Sequence, residues 1–78
     1  MQIKKIIDLI EEAIEDLFPT YAFLQEDMRT AYLEIKETDE LFRESMMDIY
    51  YNKRNEFMKV KDKMDRLQED LKEYKQEV

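Results

Sequence analysis

IIDLIEEAIEDLFPT, residues 6–20, decides the fold, because everything downstream depends on whether a helix ends at Pro19. Ile3, Ile6, Ile7, Ile10, Ala13, Ile14 and Leu17 recur at helical steps and form one wide apolar stripe. Proline pushes the residue before it out of helical geometry and suits the first turn of a new helix. The sequence therefore predicts a first helix over about 2–18, a very short link at Phe18-Pro19-Thr20, and a second helix over 20–37. On that reading the charges run backwards. Lys4 and Lys5 stand at the positive end of the helix dipole, while Asp8, Glu11, Glu12, Glu15 and Asp16 lead into its negative end.

Composition agrees on class. The chain has 78 residues, no Gly, one Pro and 42% charged side chains, which excludes sheets joined by tight turns and predicts an all-α fold. A single core of this size seldom supplies more than about 3–5 kcal/mol. With no Cys there is no disulfide to add to it, and with neither Cys nor His no metal site or cofactor is expected. No apolar run is long enough to cross a bilayer, and MQIKKIIDLI lacks a signal-peptide pattern, so the cytoplasm is the default compartment.

The second helix carries Tyr21, Leu24, Met28, Tyr32 and Ile35. KETDE, residues 36–40, then favours a turn at 37–40 with Thr38 or Asp39 as a cap. A continuous bent helix competes with it, because Met28, Tyr32, Ile35, Asp39, Phe42, Met46, Tyr50, Lys53 and Phe57 step on by threes and fours. Leu41, Phe42, Met46, Met47, Ile49, Tyr50 and Tyr51 cannot share one face, which implies two neighbours for that segment. Beyond it Phe57, Val60, Met64, Leu67, Leu71, Tyr74 and Val78 alternate steps of three and four, the a/d seam of a coiled coil.

In a parallel homodimer this seam would set Glu56 against Lys61 and Asp70 against Lys75, whereas antiparallel self-pairing would oppose Lys61 to Lys75. Length points the same way. Two short helices of about 24–27 Å would leave half of a long third helix uncovered. The expected architecture is therefore a helical hairpin or three-helix arrangement, with residues 1–52 acidic and 53–78 a coiled coil pairing two copies through Phe57, Val60, Met64, Leu67, Leu71 and Tyr74.

Charge divides at the same place. Residues 1–52 hold five basic and thirteen acidic side chains, net −8, and residues 53–78 hold eight and seven, net +1, for a total of −7. Asp8, Glu11, Glu12, Glu15, Asp16, Glu26 and Asp27 gather around the expected Pro19 corner. A solvated face is the plain reading. The backward dipole placement favours an acidic patch for a basic surface, including one that a partner offers to nucleic acid.

Catalysis finds no footing. There is no imidazole or thiol and no glycine loop for phosphate. EEAIED resembles the Glu-x-x-Glu pair of all-α NTP pyrophosphatases, but Glu12 lies on the far side from the apolar stripe and no Glu-x-x-Asp follows. YYNKRNEFMKVKDK, residues 50–63, places basic residues ahead of a zipper-like seam, yet Glu56 and Asp62 interrupt it and the chain is acidic overall. Met28, Met46 and Met64 fall on the seam as core fillers, while Met47 and Met58 lie off it and suit contact with something else. The expected function is that of a small acidic interaction protein, not an enzyme, with neither nucleic acid nor membrane as its ligand. It would bind and inhibit a larger protein in the manner of phage or mobile-element regulators. A purely structural oligomeriser is the rival.

Overall fold

The computed structural model describes residues 2–77, which form two helices, α1 (Ile3–Glu37) and α2 (Glu40–Gln76), and no strand. The helices run antiparallel along each other in a rod of 59 × 16 × 14 Å. Side-chain contacts fix the direction. Tyr32 meets Tyr50 at 6.0 Å between ring centroids, Lys53 donates to Asp27 at 2.7 Å, Tyr21 meets Phe57 at 5.2 Å, and Lys75 reaches Glu11 at 3.6 Å.

The expected stop at Pro19 does not occur, for Pro19 lies inside α1. Proline removes one helical hydrogen bond and crowds the carbonyl four residues back. Here Pro19 and Glu15 are both exposed, so the carbonyl of Glu15 that loses its partner faces water. On the opposite side Ile14, Leu17, Tyr21 and Leu24 keep their steps of three and four past the proline, and all four are at least half-buried. Packing on that unbroken stripe holds both halves in one line.

The continuous helix removes the acidic half of the dipole paradox and keeps the other, for Lys4 and Lys5 still stand in the first turn of α1 with no acid beside them there. The C-terminal end of α1 is at Glu37, with Lys36 in its last turn where a cation is favourable. Asp8 to Asp16 sit in the first half of a 35-residue helix, well away from its negative end.

The chain reverses at Thr38–Asp39, within the stretch 37–40. Thr38 is extended and Asp39 is likewise outside helical geometry, with ψ of 141° and 149°. Thr38 closes α1 twice, through its N–H to the Ile35 carbonyl at 3.3 Å and its hydroxyl to the Glu34 carbonyl at 2.6 Å. Asp39 is the N-cap of α2, though its side chain makes no capping bond. The continuous stepping read across KETDE is therefore not the packed seam, and Tyr32 and Phe42 are exposed. The inward residues of α2 are Met46, Tyr50, Lys53, Phe57, Val60, Met64, Leu67, Leu71 and Tyr74, and those of α1 run from Ile3 through Ile7, Ile10 and Ile14 to Ala31 and Ile35.

The Phe57–Tyr74 stripe thus meets α1 in the same chain. The length argument for a second chain fails, since α1 is one helix of about 52 Å and covers α2 along its length. α2 runs unbroken through residue 52. Val78, the last step of the expected seam, lies outside the described residues. Burial along the seam is shallow. Among the described residues only Ala31, Phe57 and Met64 are buried, at 3, 6 and 4% exposure.

Candidate functional site

The seam's spacing assigns every other residue a side of the rod. In an antiparallel pair the columns beside the a positions of both helices share one flank, and those beside the d positions share the other. The contacts agree. Glu11 and Lys75 meet on the first flank, while Ala13, Asp16, Leu17, Lys63 and Leu67 line a shallow groove on the second.

The acidic residues divide accordingly. Asp8, Glu11, Glu12 and Glu15 line an open groove of about 450 Å³ at the free end of the rod, with Ile14 and Leu71 as its floor and Lys75 on the far wall. Asp16 belongs to the opposite flank, in the groove with Lys63. Asp27 is bonded to Lys53. With α1 straight, Glu26 and Asp27 lie some 15 residues along the helix from Glu11 and Glu12, about 22 Å away. No corner at Pro19 brings them into one patch. Of the seven candidate residues, the structure assembles Asp8, Glu11, Glu12 and Glu15 and separates the other three.

The groove is an electrostatic feature with an apolar base. Four carboxylates face a single nearby ammonium, at 3.6 Å from Glu11 and half-exposed, which leaves negative charge uncompensated. Further along the same flank Lys61 donates to Asp65 at 2.9 Å. That hydrogen bond, with the charge of Asp65 behind it, holds the lysine above its ordinary 10.5. Among the described residues no cluster of His, Cys, Asp or Glu is placed to hold a metal ion, and no helix is long and apolar enough to cross a membrane.

A second feature was only half visible in the sequence. Leu9, Phe18, Phe23, Tyr32, Leu33, Leu41, Phe42, Met47, Ile49, Tyr51 and Met58 are all exposed, Leu41 at 83% and Phe23 at 68%. Of the two neighbours expected for residues 41–51, the chain itself supplies one, α1, which takes Met46 and Tyr50 and leaves the others exposed. Met47 and Met58 do lie off the seam, both at 37% exposure. They share the flank of the acidic groove with Phe18, Ala22, Tyr32 and Tyr51. No protein-family model, curated protein sequence or solved structure matches the chain.

Proposed function

We propose that this chain is an interaction protein of the cytoplasm. Its free-end groove takes a basic, amphipathic segment of a larger protein and modulates that protein by occupying a surface meant for another acidic ligand. The observation that carries this reading is the groove itself. Asp8, Glu11, Glu12 and Glu15 make an acidic wall over the apolar floor of Ile14 and Leu71, a lining that suits a helix with lysines on one edge and aliphatic residues beside them. Mimicry of nucleic-acid charge, as expected of a small phage or mobile-element inhibitor, is the form this modulation would take.

The test is titration of the chain with a fluorescent basic amphipathic peptide at low and moderate salt. Binding should weaken as ionic strength rises. Replacing Asp8, Glu11, Glu12 and Glu15 by their amides should abolish it with helix content intact. Equal binding by the amide variant would refute the reading.

A structural assembly role is the second reading, favoured by the exposed apolar side chains of both helices. Self-association through the Phe57–Tyr74 stripe would have to displace α1 from those same side chains. Assembly through a flank leaves the pair intact.

A further inference from the structure

We infer that a second copy of this chain docks on the flank shared by the acidic groove and Met58, with both Thr38–Asp39 turns at the same end, giving a four-helix bundle. This rests on the groove being a site for a basic helical surface and names α2 of another copy as one such surface.

Surface area supports a missing partner. The chain exposes 6458 Å². A compact monomer of its mass would expose about 5100 Å². Two separate chains would lose on the order of 4000 Å² in total on becoming one compact body, within the range of obligate dimers.

Position supports this flank. The cross-helix contacts put Ala22 level with Met58, Tyr32 level with Met47 and Tyr51, Lys36 level with Glu44, and Asp8 level with Lys72. A two-fold axis along the rod lays α1 of one copy over α2 of the other at the same levels. Ala22 and Phe18 then cover the second copy's Met58, and Tyr32 covers its Met47 and Tyr51. Lys36 meets the second copy's Glu44, and Asp8 and Glu11 meet its Lys72. Apolar falls on apolar and charge on opposite charge at these levels, and every neighbouring helix is antiparallel. The exceptions are Glu15, which falls on the second copy's Asp65 and its bonded Lys61, and Lys4, which falls beside Lys75 and its neighbour Glu11.

The other flank fails the same exercise. Leu9 would fall on Asp70 and Glu73, and Phe23 on Glu56. A two-fold axis across the rod would instead set α1 against α1, with Lys4 on Lys36.

The chain has no Cys, so copies with single introduced cysteines report directly. Copies carrying Ala22→Cys mixed with copies carrying Met58→Cys should give mainly the mixed disulfide on oxidation, because a disulfide needs Cα atoms within about 7 Å. Predominant Ala22→Cys self-pairing would mean an axis across the rod and would overturn the arrangement. Lys36→Glu and Glu44→Lys should each weaken self-association. At about five-fold per exposed contact, repeated twice by symmetry, the loss is about 25-fold, and the double variant should restore it. Circular dichroism of each variant checks that the helices persist.

Sedimentation of the unmodified chain at about 100 μM should give twice 9.7 kDa. A single-copy mass there overturns the inference while leaving the groove's binding of a basic peptide untouched. Loss of peptide binding with the dimer intact would instead overturn the reading it rests on.

Discussion

Replacing Pro19 by Ala discriminates between the continuous α1 of the structure and the break at Pro19 that the sequence predicts. In a continuous α1 the substitution restores the N–H that bonds the Glu15 carbonyl and relieves the ring's clash with it. Proline in a helix interior costs about 3 kcal/mol relative to alanine. Against that, proline restricts the unfolded chain, which favours the unmodified protein by about 0.4–1 kcal/mol. The net expectation is a stabilisation of about 2 kcal/mol. For a chain of this length each kcal/mol moves the midpoint by roughly 4–8 °C, so Pro19→Ala should melt roughly 8–16 °C higher. Thermal circular dichroism at 222 nm and matched protein concentration reads this directly, since association also moves the midpoint. Pro19→Gly should stabilise too, by about 1 kcal/mol, because glycine costs a helix interior less than proline does. A helix ending at residue 18 predicts the reverse, for there Pro19 sits in a first turn that suits it. An unchanged or lowered midpoint for Pro19→Ala would refute the continuous helix.

Phe57→Ala removes a side chain that is 6% exposed and packed at a tilt against the Tyr21 ring, a change that costs about 3–5 kcal/mol in such sites and should leave this small pair largely unfolded by urea titration. Leu67→Asp combined with Leu71→Asp should lose helix signal as well, because both residues face α1, and a folded monomer would argue against that packing. Asp27→Asn breaks a half-exposed ion pair and should cost under about 1 kcal/mol, with the difference vanishing in high salt. Lys61 is raised by its hydrogen bond to Asp65, so the contact's contribution is complete below 10.5 and fades as pH climbs past the raised value. Lys61→Met should therefore lower the melting temperature slightly throughout the neutral range and flatten the alkaline end of the profile, the two curves converging as pH climbs past the raised value.

Fold class was legible because composition alone rules out turns for a sheet, and the reversal at Thr38–Asp39 was legible from the polarity of KETDE. Pro19 misled because a local rule was allowed to outrank a longer one. From Ile3 to Ile35 the seam runs Ile3, Ile7, Ile10, Ile14, Leu17, Tyr21, Leu24, Met28, Ala31, Ile35 without a missed step, and a break at Pro19 would have had no reason to preserve that register. Stepping across Asp39 misled in the opposite direction. Ile35, Asp39, Phe42 and Met46 step as regularly on paper as the packed seam, but Asp39 caps α2 after the chain has reversed and Phe42 is exposed. Ala31 is among the most buried residues of the chain, and a small residue there lets the helices approach. The groove was half legible. Asp8, Glu11, Glu12 and Glu15 share a face by spacing alone, but Ile14, Leu71 and Lys75 complete it only once α2 is known to lie antiparallel.

That antiparallel course also reinterprets the charge asymmetry of the two halves. Read as a line, a net −8 beside a net +1 suggested a patch pointed outward at some other molecule. Folded, the acidic first half of α1 lies along the lysine-bearing last half of α2, and the contact of Glu11 with Lys75 is the visible part of that complement. Part of the asymmetry therefore selects the antiparallel pairing within the chain. What remains for an outside partner is the surplus on one wall, where Asp8, Glu12 and Glu15 have no ion-pair partner within 4 Å among the described residues. Lys75→Glu separates the two roles. It removes the internal counter-charge and adds to the wall, so it should lower stability by under about 1 kcal/mol while tightening capture of a basic peptide. If it weakens capture instead, Lys75 is part of the binding surface and the acidic wall does not act by charge.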